Sequence, residues 1–241
     1  MPLAPLPDGY GATRLVAQRV GAHVMARSRH AVTGRIDLAP MSGGFGAPAF
    51  GDDHCVVRLS GGLLVVERTG ATATTRSMPV DGSTLAAMAQ LVGAELSKDF
   101  DVGGDTPALG DIDAPLSVDA ASLIQIGTWF AYGSQVLDRV VASQPADAAP
   151  SRARIWPEHF DLGIDLAVPS GGRVNLGASP GDDFHAAPYL YVSPWNGVPA
   201  NGDGYWNAPF GAVLGYDEIA LAPSAFGVGV EFMTRGLALL T

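Results

Sequence analysis

Apolar residues recur along the chain in two rhythms, one helical and one strand-like, and the alternation happens twice. Between Thr13 and Arg27, Val16, Val20 and Val24 stand four apart with Leu15 at their flank, as on the buried stripe of an amphipathic helix. Strand-like stretches follow, a short one at 35–38 and then 55–59, 63–67 and 72–78. The last three read as an antiparallel meander whose first turn is Ser60-Gly61-Gly62. Ser83 then stands as the N-cap of a helix with Leu85, Met88, Ala89, Val92 and Leu96 on one face. After a polar, aspartate-rich connection, 97–115, a longer helical pattern starts near Ser117, with Leu123, Ile126, Phe130, Leu137 and Val140 in phase. Beyond a loose linker at 143–151, strand signals return at 155–168, 174–177, 189–192 and 212–214. A final helix presents Phe226, Val230, Met233, Leu237 and Leu240, with Gly227, Gly229 and Gly236 each weakening it.

The two halves of this pattern match. Ser60-Gly61-Gly62 and Ser170-Gly171-Gly172 occupy equivalent strand-turn-strand contexts 110 residues apart, and the same offset maps Val16 onto Ile126 and Val20 onto Phe130. The expectation is an α+β chain of antiparallel sheets flanked by helices, in pseudo-duplicated helix-sheet-helix halves. It forms one compact unit over residues 1–241, with the halves at 1–115 and 116–241 and the candidate boundary in the aspartate-rich connection.

Charge narrows the partners. The chain carries 24 acids against 14 bases, a formal net charge of −10, with no basic run. The attraction to phosphate that dominates nucleic-acid binding is therefore missing, and an anionic membrane surface is disfavoured for the same reason. No apolar run approaches the roughly 18 residues that span a bilayer, and the start, MPLAPLPDGYGATR, has no basic region followed by an apolar one. These features predict a soluble, acidic, cytoplasmic protein. The single cysteine, Cys55, alternates onto the strand face of Val57 and Leu59 and reads as a core thiol.

Several motifs are weaker than they look. Gly177-Ala178-Ser179-Pro180-Gly181 has the G-x-S-x-G form of a hydrolase nucleophile, but the residue after the serine is a proline, which has no N–H for an oxyanion hole, and no helix pattern follows. The glycine-rich 41–48 segment lacks the GK[ST] ending of a phosphate-binding loop and reads as a loop. Asp99, Asp101 and Asp105 imitate a calcium loop without its closing glutamate.

The constellation with most chemical content lies at 156–161 and 182–185. If 158–167 is a strand, His159 and Asp161 share a face, and His185 completes a 2-His-1-carboxylate set able to leave open positions on a divalent metal. Glu158 or Asp183 then stands as an acid or base. The simpler alternative makes His159 and Asp161 hydrogen-bonded partners at a strand edge. Rings gather in the same region, and Trp156, Phe160, Tyr189, Tyr191, Trp195 and Trp206, with the amide of Asn207, are the candidate lining of a ligand pocket. The 193–210 segment is long enough, without regular structure, to be a lid.

The boxes Trp156-Pro-Glu-His-Phe-Asp-Leu162, Val174-Asn-Leu-Gly-Ala-Ser-Pro-Gly-Asp182, Pro188-Tyr-Leu-Tyr-Val192 and Tyr205-Trp-Asn-Ala-Pro-Phe-Gly211 occur in fixed order. On them, with Gly43-Gly-Phe-Gly46 and Gly104-Asp-Thr-Pro107, the chain resembles a mainly actinobacterial family of uncharacterised proteins. The resemblance implies a shared fold and no particular activity or cofactor. The leading functional expectation is a small-molecule-binding protein with an aromatic-lined pocket in its second half. The alternatives are a metal-dependent enzyme, or an interaction subunit, homodimeric through a sheet edge and without small-molecule chemistry.

Overall fold

The periodicities resolve into two successive runs of helix, five-stranded meander and helix. The structure, a computed structural model, describes residues 3–202 and 204–240. Within it the chain forms two compact units, one of residues 6–131 and 155–160 and the other of residues 3–5, 132–154 and 161–240. Among the described residues no helix is long and apolar enough to cross a membrane.

In the first unit, α1 (Tyr10–Val20), a π-helical segment (Gly21–Ala26) and α2 (Arg27–Thr33) make one continuous helical run. It ends where Gly34 takes the left-handed conformation (φ 69°) and returns its N–H to the His30 carbonyl. Five antiparallel strands follow in chain order: β1 (Ala39–Met41), β2 (Gly44–Phe50), β3 (Cys55–Ser60), β4 (Leu63–Arg68) and β5 (Thr74–Pro79). Cys55, Val57 and Leu59 alternate into the core, and burial pushes the Cys55 thiol pKa up, away from the reactive thiolate. The edge strand β5 is exposed except at Met78. Helix α3 (Leu85–Val92) is capped by the Thr84 hydroxyl, which accepts the Ala87 N–H at 3.1 Å, one residue beyond the serine that the pattern suggests.

The 41–48 segment, expected as a loop, holds the end of β1 and most of β2. Its glycines permit close contact. A Cβ at Gly44 would overlap the Leu59 carbonyl, one at Gly46 would overlap that of Val57, and Gly127 of α4 (Ala120–Val141) lies directly against Gly44. The 35–38 stretch is not a strand; pairing starts at Ala39.

Four basic residues on one side of the helical run hold down the connection after α3. Arg19 donates to the carbonyls of Leu109 and Asp111, both at 2.7 Å, and Arg27 donates to that of Glu95 at 2.9 Å. Arg27 also stands over the Phe100 ring, which His30 meets at 5.4 Å. His23, 3% exposed, lies 2.6 Å from the Pro107 carbonyl through Nε2. A carbonyl only accepts, so Nε2 carries the proton.

The second unit takes the later part of α4 and a sheet in the order β10-β9-β8-β7-β6, all antiparallel. Its strands are β6 (Arg154–Trp156), which straddles the division between the units, β7 (Asp161–Ala167), β8 (Arg173–Ser179), β9 (Tyr189–Pro194) and β10 (Ala212–Gly215). Two helices close it: α5 (Tyr216–Leu221), absent from the sequence pattern, and α6 (Ala225–Ala238), capped by the Ser224 hydroxyl on the Gly227 N–H at 3.0 Å. The expected 110-residue offset recurs in the element starts, Tyr10 against Ala120 for the helices and Leu63 against Arg173 for β4 and β8. Both serine-glycine-glycine turns carry two left-handed glycines, Gly61 and Gly62 at φ 57° and 83°, Gly171 and Gly172 at 92° and 86°.

Burial lowers the His23 pKa from its ordinary 6.5, the Arg19 charge acting the same way against the opposing Pro107 hydrogen bond. The folded state then binds fewer protons than the unfolded one, so neutral His23 stabilises the fold above 6.5 and that stability is lost as pH falls from 6.5 through the folded value. Thermal midpoints measured across this window should fall with pH in the wild type and fall less steeply in His23→Gln, which keeps a donor for Pro107.

Candidate functional site

Alternation along β7–β10 sorts the second sheet into an apolar and a polar face. Leu162, Ile164 and Leu166, Val174, Leu176 and Ala178, Leu190 and Val192, and Ala212 are buried on one side. There Gly133 of α4 meets Ala178 and Leu162, Gly229 of α6 meets Leu190, and Gly236 meets Val192. The register puts Gly163 opposite Gly177 and Tyr191, Ser179 opposite Tyr189, and Asn175 opposite Ser193 on the other side. Asp161, Asp165 and Val213 belong to that same face by alternation and pairing.

The polar face is organised around two tyrosines. The Tyr191 ring lies across Gly177, where a Cβ would overlap it, and its hydroxyl, beside Gly163, donates to the Asp161 carboxylate. The Tyr189 hydroxyl donates to Asp182 Oδ2 at 2.5 Å, and Ser179 donates to the same oxygen at 3.3 Å. Asp182 Oδ1 accepts the backbone N–H groups of Phe184 and His185 at 2.9 and 3.0 Å. Desolvation, then the charge of Asp161, raises the Tyr191 pKa well above its ordinary value; desolvation, then the hydrogen bond to Asp182, raises that of Tyr189. Both phenols therefore stay protonated donors at neutral pH. Ser179 also accepts the Gly181 N–H at 3.1 Å, so this 2%-exposed serine is a turn-former.

Rings extend the face at both ends. Phe184 packs edge-on against Tyr189 (6.0 Å) and Phe210 (5.0 Å), and His185 stands 5.8 Å from Tyr189. Trp195 is 59% exposed, yet its indole N–H donates to Asn175 Oδ1 at 2.8 Å, which fixes the ring's orientation. Trp206 and Asn207 serve the segment itself. Trp206 packs on Tyr205 at 4.9 Å, and the Asn207 amide bonds both the N–H and the carbonyl of Val213, at 2.8 and 3.0 Å. Asp203, inside the 193–210 segment, lies outside the described residues.

Phe160, expected at a ligand surface, is fully buried in the first unit, edge-on to Phe45 (5.1 Å) and Phe130 (5.4 Å). The strand assumed over 158–167 begins only at Asp161. Residues 157–160 form a turn, closed by the Phe160 N–H on the Trp156 carbonyl at 2.7 Å and by Phe160 at φ 55°. That left-handed residue breaks the alternation which made His159 and Asp161 face-mates. His159 Nδ1 instead lies 2.9 Å from Asp105, Asp161 holds Tyr191, and His185 Nδ1 meets the Ala187 carbonyl at 2.8 Å. Among the described residues no group of three His, Cys, Asp or Glu gathers as a metal ion requires. Asp101 accepts the Gly103 N–H and the Thr106 hydroxyl, both at 2.8 Å, in a local turn. In the first unit an open cleft of about 530 Å³ between β5 and α3 is lined by Arg76, Met78, Ala87, Gln90 and Leu91, with no convergent polar set.

Asp182 and Asn175 are site residues that sequence reasoning did not select. The signal for Asn175 was the shared parity of 175, 177 and 179 with 189, 191, 193 and 195, which becomes meaningful only once the strand register is known, whereas Asp182, in the turn after β8, joins the face only through the hydrogen bonds it accepts. Tyr191→Phe removes a charge-assisted hydrogen bond and should cost about 1–3 kcal/mol in urea unfolding. Gly177→Ala, which collides with the ring, should cost at least as much. No family model, curated protein or solved structure matches this chain.

Proposed function

We propose that the protein binds a small polar ligand on the polar face of its second sheet. The observation that carries this reading is the row of Tyr189, Tyr191 and Trp195 on one face of β9 and its extension, ending in a largely exposed indole whose plane Asn175 fixes. A preoriented ring offers contact area at little entropic cost, and neighbouring polar groups set direction. Phe184, 46% exposed, adds a second accessible ring beyond Tyr189.

The surrounding chemistry narrows the ligand. Asp161 and Asp182 place negative charge beside the rings, while Arg173 is engaged by Asp165. With a chain charge of −10, this face disfavours anions and favours a neutral polyhydroxyl compound or an organic cation, whose apolar faces or charge the rings accept.

Tryptophan emission, titrated with neutral sugars and with primary and quaternary amines, tests the reading. A saturable change in the wild type that disappears in Trp195→Phe and weakens in Tyr191→Phe is expected. No saturable response to either class would reject it.

A further inference from the structure

The two edges of the first sheet differ. Strand β1 has three residues, one of them Pro40, and the chain just before it pairs with Ile155 through Leu38. Strand β5 runs six residues in unbroken register along β4, is exposed except at Met78, and has no strand on its other side among the described residues. An open edge of that length presents backbone donors and acceptors in the arrangement that another strand pairs with. The register identifies them. Val80 donates to the Gly62 carbonyl at 3.0 Å, so alternation along an antiparallel ladder makes Leu64 with Met78 and Val66 with Arg76 the next hydrogen-bonded pairs. Arg76 and Met78 therefore turn their backbone groups toward β4, while the N–H and carbonyl of Thr75 and of Ser77 point away from the sheet. Among the described residues no backbone group bonds these four. Pro79, next in that row, offers a carbonyl but no N–H and closes it.

The cleft of about 530 Å³ opens beside this edge. Arg76 and Met78, on the same face as buried Val66 and Leu64, form one wall, and Ala87, Gln90 and Leu91 of α3 form the other. A strand added along Thr75 and Ser77 turns alternate side chains into the cleft, opposite Arg76 and Met78. Met78, Ala87 and Leu91 suit an apolar side chain there, and Arg76 suits an acidic one. The neighbouring cations are already paired, Arg58 with Glu67 at 3.1 Å and Arg68 with Asp53, whereas among the described residues no ion pair or hydrogen bond holds the exposed Arg76 guanidinium. Glu67, which pairs with Thr75, belongs to the other face of the sheet by alternation. A second copy of β5 is a poor occupant. The register that bonds Thr75 to Ser77 in both directions sets Arg76 against Arg76, and like charges directly opposite are destabilising.

We propose that the β5 edge and its cleft with α3 take an extended acidic peptide segment of a partner protein, added as an antiparallel strand with an acidic residue opposite Arg76 and an apolar one opposite Met78. In that direction the apolar residue precedes the acid by two positions. Backbone bonds to Thr75 and Ser77 supply affinity without regard to sequence, and the cleft supplies the choice of side chains. The site belongs to the first unit and is independent of the ring-lined face of the second.

Selection of random peptides displayed on phage against the whole chain tests the proposal. The enriched peptides should carry an acid two positions after an apolar residue, and one of them, synthesised and labelled, should slow amide exchange at Thr75 and Ser77 when bound. Ser77→Pro removes one outward N–H and leaves the bonds to β4 intact, a change that an edge strand tolerates, and should weaken that peptide about tenfold or more. Arg76→Glu should reverse the preference, enriching lysine or arginine where the wild type selects an acid. A selection that enriches nothing, a peptide that binds Ser77→Pro as tightly as the wild type, or the same peptides selected by Arg76→Glu would overturn the proposal. So would a dimer in native mass measurements that Ser77→Pro abolishes, which would assign the edge to a second copy. Arg76→Glu decides the matter if Ser77→Pro does not fold.

Discussion

Each antiparallel sheet has one apolar face, and removing that face from water against the helices of its own unit is the interaction on which everything else depends. The approach is close because glycine stands where backbones meet. Gly127 lies against Gly44 in the first unit, and Gly133 and Gly229 admit Ala178 and Leu190 in the second. A side chain at any of these points would hold helix and sheet apart. In the first unit the contact is completed by Phe45, Phe130 and Phe160, three mutually edge-on rings from a strand, a helix and a turn. Such geometry suits the charge distribution of aromatic rings and adds direction to what is otherwise non-directional burial.

Once one face of the second sheet is committed to the core, the other is released for polar chemistry. A tyrosine can lie flat across β8 only because Gly177 has no side chain, and its hydroxyl then reaches Asp161 on the neighbouring strand. Asp182 is held by four donors, none of them cationic, so its charge is solvated by the protein without being cancelled. Negative charge beside oriented rings is the chemical character of this surface, and a ligand reading follows from that character rather than from any single motif.

The basic residues of this acidic chain are used sparingly. Along the first helical run Arg19, His23 and Arg27 bind backbone carbonyls of the connection after α3, converting a polar, glycine-rich segment into an ordered one. Carbonyls suit this purpose because they satisfy donors without adding a charge to be desolvated. Arg29 neutralises Asp37 in the interior. Arg14, also buried, donates instead to the side-chain oxygen of Gln18, one turn further along the same helix.

Periodicity by itself determined the α+β class, the long helices, most strands of both meanders and the 110-residue offset between the halves, because each of these is a repeat in the burial of one face. The two serine-glycine-glycine turns were legible for a local reason, since consecutive left-handed residues favour glycine. Other features depended on contacts far apart in sequence. The 41–48 segment looks like a loop because its glycines give no hydrophobic rhythm, yet they are what lets β2 lie against Gly127 and the carbonyls of β3. The 157–160 turn hides inside a strand-like pattern because Phe160 adopts a left-handed conformation that its neighbours in the core hold in place. The candidate site follows the same division: the sequence supplied its rings, but register and long-range hydrogen bonds chose which of them share a face, and no local spacing encodes a partner on another strand.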